Sequence, residues 1–156
     1  MITSDGDKAR VELSVEVAAR PETVWRCVSG SELLSRWLTA KAEIDPHVGG
    51  AVRIDFGRHA TVVEGVVEVV QENHRLVFSW GISEGTDKEL MPPGSTRVSI
   101  ELVEIPGGTR VTLTHADLPN EKSGRDHSLG WNGYLANLAG LAAIAAIDGT
   151  PEELFD

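Results

Sequence analysis

The chain has a single cysteine, Cys27, in 156 residues, so no internal disulfide and no CxxC redox or zinc pair can form. Arg26 is its only flanking basic residue, and Cys27 reads as a small core residue rather than a reactive thiol. No run of apolar residues reaches the length of about 18 that a membrane-spanning helix needs. Residues Met1 to Asp7 have neither a basic flank nor an apolar core, so no signal peptide is expected and the chain reads as cytoplasmic. Lys and Arg number 14 against 24 Asp and Glu, giving a net charge of −10, and the basic residues nowhere cluster. That balance argues against nucleic acid as a partner, because replacing phosphate counterions needs a basic patch. There is no Gly-rich phosphate loop, no Ser/His/Asp order and no close-spaced ligand cluster, so neither a cofactor nor a metal is expected. No internal repeat, low-complexity run or interdomain linker appears.

What is present is an ordinary globular composition, 41% hydrophobic and 24% charged, in a length that suits one domain with a core of its own. The whole of 1–156 is read as that domain, with an ordered core at about 8–147 and polar, frayed residues before it. Val11, Leu13, Val15 and Val17 alternate with polar residues, which predicts a strand with one buried face. Pro21 followed by Glu22 opens a short helix that Gly30 ends, and Ser31 is a candidate cap for a second one, Glu32 to Trp37.

Strands are then predicted at Ala40–Ile44, Val52–Phe56, residues 61–71 with a bend at Gly65, Leu76–Ile82, Arg97–Leu102 and Arg110–His115. Turns fall at Gly49-Gly50, Gly57-Arg58-His59, Asn73-His74 and Pro106-Gly107-Gly108. Residues 83–95 form a long polar loop, either a plain connection or a lid over a cavity mouth. Only the C-terminal segment has a sustained helical period. His127, Trp131, Tyr134, Leu135, Leu138, Leu141, Ala142 and Ala145 share one face, with Asn120 or the Ser123/Asp126 pair as candidate N-caps. The class is therefore α+β: a curved antiparallel sheet of about six or seven strands wrapped around one long C-terminal helix, with two short helices after the first strand.

This order, together with local motifs, resembles the SRPBCC superfamily, the START-like helix-grip fold. More narrowly, the chain is similar to bacterial homologues of the C-terminal domain of the heat-shock-protein-90 ATPase activator. The matching stretches are Ala19-Arg20-Pro21-Glu22-Thr23-Val24-Trp25, Leu33-Leu34-Ser35-Arg36-Trp37, Gly49-Gly50, Leu76-Val77-Phe78-Ser79-Trp80, Thr109 to His115, and Gly130 to Leu138. The superfamily includes lipid carriers, hormone receptors, polyketide cyclases and co-chaperone domains, so fold does not settle function. The resemblance implies a space between long helix and sheet, approached by Trp37, Trp80 and Trp131. It also implies, through the activator, a chaperone contact and a stress-response setting. The eukaryotic activator makes that contact with a separate N-terminal domain, which this chain is expected to lack.

The candidate site follows from that space. The expected lining for a small hydrophobic or aromatic ligand is Trp37, Phe56, Phe78, Trp80, His115, His127, Trp131, Leu135 and Leu138. Equally, the tryptophans could simply fill the core. By alternation His115 faces inward, and Asp117, two residues on, would share that face if the strand continues. The pair could do acid–base work of the polyketide cyclase or hydrolase type, or His115 could be a satisfied core histidine. Gly130, Gly133 and Gly140 each cost roughly 1 kcal/mol against alanine in a helix, offset by close packing or by room for a ligand. Arg53 and Asp55 alternate onto a solvated face. The function expected first is ligand binding. Enzyme and protein-interaction domain are the alternatives, and an exposed sheet edge makes a homodimer a possible assembly.

Overall fold

The structure, a computed structural model, describes residues 1–57 and 60–148. Its elements in chain order are β1 (Ile2–Asp5), β2 (Lys8–Val17), α1 (Pro21–Ser29), α2 (Ser31–Leu38), β3 (Lys41–Ile44), β4 (Ala51–Asp55), β5 (Val62–Gln71), β6 (Arg75–Glu84), β7 (Thr96–Ile105), β8 (Gly108–Leu118) and α3 (Glu121–Asp148). All strands join one antiparallel sheet in the order β1-β2-β8-β7-β6-β5-β4-β3. From β3 to β8 the chain is a meander, and α1 and α2 carry it from β2 across to the far edge. The 28-residue α3 packs on β1, β2 and β8 and against both short helices. This is the expected α+β helix-grip architecture, with eight strands instead of six or seven.

The extra strand is at the N-terminus. Residues 1–8 are not frayed: Ile2–Asp5 pairs with Lys8–Val11, Gly6 takes the turn at φ +63°, and the Met1 ammonium donates to the Glu12 carbonyl at 2.7 Å. Backbone pairing closes this hairpin and only Ile2 of β1 is a large apolar residue, so hydrophobic periodicity carries no trace of it. The short helices accordingly follow the second strand.

Ser31 is not a cap either. Gly30 occupies the cap position of α2, and Ser31 Oγ instead accepts the Ile44 N–H at 3.0 Å. One turn on, Ser35 Oγ accepts the Ala42 N–H, also at 3.0 Å. The two hydroxyls cover the outer edge of β3, which would otherwise present open donors to solvent. Of the candidate caps on α3, Asn120 is the one used: its Oδ1 accepts the Ser123 N–H at 2.8 Å.

Two glycines shape the sheet. A Cβ on Gly65 would collide with the Ser79 carbonyl on β6, and the β5–β6 ladder changes register on both sides of that contact. The bend expected at Gly65 is thus a doubly bulged strand. A Cβ on Gly81 would collide with the Pro92 carbonyl, so the 85–95 loop lies directly on β6. Ile82 N–H donates to Met91 C=O at 2.7 Å, and the Met91 side chain is buried. On the solvent face, half-exposed Arg53 pairs with Glu64 and Glu84 at 4.0 and 3.8 Å, and Asp55 accepts the Gly57 N–H. The remaining predicted turn residues there, Arg58 and His59, lie outside the described residues. Among the described residues no helix is long and apolar enough to cross a membrane.

The helix glycines divide by surroundings. A methyl on Gly124 would lie 3.1 Å from Ala9 Cβ and 3.2 Å from Ile2 Cγ2, whereas Gly133 and Gly140 face open space. Gly133→Ala and Gly140→Ala are therefore expected to stabilise the fold by about 0.5–1 kcal/mol each. Gly124→Ala should lower stability instead, because the β1–β2 hairpin must move away. Urea unfolding midpoints of the three variants check the ranking, and a stabilised Gly124→Ala would contradict this packing.

Candidate functional site

His115 lies on β8 under the first half of α3 and is fully buried. Trp131 Nε1 on α3 donates to His115 Nδ1 at 3.0 Å. An indole N–H can only donate, so Nδ1 is the acceptor and the ring proton sits on Nε2. Nε2 lies 2.8 Å from Thr96 Oγ1 on β7, and that hydroxyl donates to the Trp80 carbonyl on β6 at 2.7 Å. A single run of three hydrogen bonds thus connects α3 to β8, β7 and β6. Both ring nitrogens are used, and burial, helped by the neighbouring His127, pushes the pKa of His115 well down. The imidazole is neutral at physiological pH and has no nitrogen left for proton transfer.

Asp117 is not its partner. The β2–β8 ladder shifts register between Val11↔His115 and Ala9↔Leu118, and Asp117 takes φ +65°. That bulge turns Asp117 out to solvent and returns Leu118 to the core. The alternation that would have put Asp117 beside His115 ends one residue too early.

Beside the relay, a cavity of about 640 Å³ opens between the start of α3, the bent part of the sheet and the 85–95 loop. Trp80, Val63, Met91 and Trp131 form its buried floor. Phe56, Ile82, His127, Gly130 and Tyr134 are half-buried walls, with Thr61 at their margin. Thr39, Thr86, Asp87 and Asp126 stand exposed at the rim. The rings touch in sequence: Phe56 and Tyr134 stack at 6.1 Å, Tyr134 meets Trp131 edge-on at 5.9 Å, and Trp131 meets Trp80 at 5.2 Å. Trp80 Nε1 is buried without a partner among the described residues, a cost of about 1–3 kcal/mol that the packing around it must offset. The described lining has two carboxylates and no cationic side chain, so it favours a neutral or cationic occupant over an anion.

His127 is the imidazole at this cavity. Its ring meets His115 edge-on at 4.8 Å and Trp80 at 6.3 Å. Nδ1 lies 2.8 Å from the Ser123 carbonyl one turn back, so Nδ1 carries the proton and Nε2 the lone pair. Burial lowers its pKa, against smaller opposing effects of the Ser123 carbonyl and Asp126. Among the described residues no cluster of three or more His, Cys, Asp or Glu could hold a metal.

Of the residues expected to line a ligand space, Phe56, Trp80, His127 and Trp131 lie on the wall of this cavity. Trp37, Phe78, His115, Leu135 and Leu138 are buried in the core instead. Trp37 is tied down by its Nε1, which donates to the Cys27 carbonyl at 2.8 Å and makes the two short helices one unit. The neighbour that reaches the rim is Thr39, in the left-handed region at φ 52° after α2. Tyr134 and Gly130 were within reach of helical periodicity, being i+7 and i+3 from His127. Thr86, Asp87 and Met91 lie on the loop that rests on Gly81, and Thr61 precedes β5 beside Gly85; no periodic signal marks any of them.

The family model for Activator of Hsp90 ATPase homolog 1-like proteins matches residues 18–143, most of the chain. The chain belongs to this family. No curated protein matches it. Among solved structures, the AHSA1-like protein of Rhizobium etli is 32% identical, with a TM-score of 0.67 over 92% of this chain and 87% of that one. A protein of Mesorhizobium loti superposes with TM-score 0.74 at 21% identity, over 84% and 94% of the two chains. The Aha1 dimer of Colwellia psychrerythraea does so at 0.71 and 19%, over 86% and 96%. These last two share the fold. The helix-grip architecture expected from the strand order is therefore shared by this protein and its relatives.

The lowered histidine pKa values set a pH dependence. An unfolded imidazole titrates near 6.5. Below that pH the unfolded chain takes up protons that folded His115 and His127 resist. Their contribution to stability is therefore complete above about pH 6.5 and is lost as pH falls, by at most about 1.4 kcal/mol per pH unit per imidazole. His115→Phe should cost about 1–3 kcal/mol near neutrality, by stranding Trp131 Nε1, and should flatten the acid slope. Urea unfolding of both proteins across the acid range measures this; identical slopes would mean that His115 is not held neutral.

Proposed function

We propose that this protein binds a small hydrophobic or aromatic molecule in the cavity between α3 and the sheet. The aromatic-lined volume of about 640 Å³ carries this reading. It falls within the range of roughly 300–1,000 Å³ typical of small-molecule sites, and a few polar groups converge on an otherwise apolar wall. A protein-interaction domain of the co-chaperone type needs no such space. Both ring nitrogens of His115 are engaged, so a cyclase or hydrolase acting through His115 is not favoured. The test is calorimetric titration with aromatic hydrocarbons. Gly130→Leu projects into the cavity, where a Cβ would meet only Tyr134 at 3.7 Å, so the fold should tolerate it. The wild type should bind in the micromolar range, and Gly130→Leu should weaken binding at least about tenfold, a loss of about 1.4 kcal/mol. Absence of binding to folded wild type would remove the reading.

We also infer that the chain pairs with a second copy through the outer face of α3. Leu129, Ile144 and Ile147 are 75%, 53% and 82% exposed there. With Gly133, Ala136 and Gly140 they make one stripe at spacings of three and four. No charged residue occurs from His127 to Ile147, in a chain of net charge −10. A self-complementary apolar face avoids like-charge repulsion between two copies of an acidic chain. The Colwellia relative is a dimer by its description. Sedimentation velocity should give a dimer mass that Ala136→Glu reduces to a monomer; a monomeric wild type at tens of micromolar would reject this pairing.

A further inference from the structure

We propose that the cavity selects neutral aromatic molecules bearing a hydroxyl or N–H donor, and that His127 Nε2 is the acceptor that recognises it. This rests on the cavity reading above and narrows it to a ligand class.

The Ser123 carbonyl can only accept, so the hydrogen bond at 2.8 Å fixes the proton on Nδ1 of His127. That edge of the ring is turned back to the helix backbone. The opposite edge, with the Nε2 lone pair, points away from the helix axis, and among the described residues nothing is hydrogen-bonded to it. The ring cannot readily swing to another partner, because His115 abuts it edge-on at 4.8 Å and Trp80 stands at 6.3 Å. The groups around it are His115 on β8, Trp80 on β6, and Asp126 and Ser123 on its own helix. Burial keeps the ring neutral, so it offers an acceptor and not a cation.

The rest of the wall sharpens the preference. The hydroxyls of Thr39, Thr61 and Thr86 can donate or accept, and the carboxylates of Asp87 and Asp126 are exposed at the rim. His127 Nε2 is the acceptor-only atom on the half-buried wall, beside Trp80. Water can satisfy it in the empty cavity. A purely apolar ligand that displaces that water leaves a buried acceptor unpaired, which is penalised, whereas a phenolic or N–H donor replaces the lost bond. Gly130, one turn along the same face, leaves the space beside the imidazole open for a flat ring.

The test compares naphthol, methoxynaphthalene and methylnaphthalene, three probes of nearly one shape, by titration calorimetry on the full chain. Naphthol alone has a donor, and it is the least hydrophobic of the three. Wild type should bind naphthol about tenfold or more tighter than either of the others. His127→Phe, which keeps a flat ring and removes the acceptor, should abolish that preference while retaining methylnaphthalene. Equal wild-type affinities for naphthol and methoxynaphthalene would overturn the proposal without any variant, and so would a preference that survives in folded His127→Phe. If folded wild type binds none of the three, the cavity reading fails and this proposal falls with it. If all three bind equally, only the selectivity is wrong.

Discussion

Helix and sheet are registered to each other by one buried polar contact, the Trp131–His115 hydrogen bond, and much of the structure is arranged to keep it intact. Apolar packing of Leu135, Leu138 and Ala142 against the strands supplies attraction but little orientation, since apolar contacts tolerate sliding and rotation. The indole N–H must instead meet one nitrogen of one ring. Behind it, Thr96 and the Trp80 carbonyl complete the set, so no polar atom of the imidazole is stranded. Satisfied throughout, the relay fixes the rotation of α3 about its axis. Half-satisfied, it would cost more than an apolar core at the same place.

That rotation decides what faces the cavity. With Trp131 directed at His115, the neighbouring positions 127, 130 and 134 turn to the open side and Leu135 and Leu138 to the packed side. The sheet meets this helix face closely along β8 and β2. It curls away beyond β6, where Gly65 and its bulges bend β5. The cavity is thus the volume between the helix and a sheet that bends. Its aromatic floor and the core relay share two residues, Trp80 and Trp131, so the chemistry of the wall and the stability of the fold are physically linked.

Much of this was legible in the chain itself, and the failures have physical causes. Period-two alternation from Val11, Leu76 and Val98 and the helical stripe from His127 reflect burial of one face, which hydrophobicity reports directly. β1 escapes because its pairing is made by backbone groups with hardly any apolar side chains. Ser31 looks like a cap because capping and edge-covering need the same hydroxyl. Asp117 is lost to a bulge, which reverses alternation without changing composition. Trp37 and Thr39 exchange roles because an indole with an available carbonyl stays in the core, while a left-handed residue after α2 reaches the rim. The inward direction of His115 could be read from its strand. Its inertness could not, since the Thr96 and Trp131 partners lie 19 and 16 residues away in the chain.

The contact between Gly81 and Pro92 separates two properties that are often entangled. Here the height of the mouth is set by backbone resting on backbone, reinforced by the Ile82–Met91 hydrogen bond and the buried Met91 side chain. The side chains that greet an incoming molecule, Thr86 and Asp87, sit on the exposed crest and carry none of that load. Thr86 can therefore be given a different charge or polarity without altering how wide the entrance stands, whereas Asp87, at φ +69°, is confined to residues such as Asn or Gly that accept a left-handed backbone. By contrast, any side chain at position 81 would lift the whole loop. Admission and architecture are written in different residues of the same thirteen-residue segment from Gly81 to Pro93.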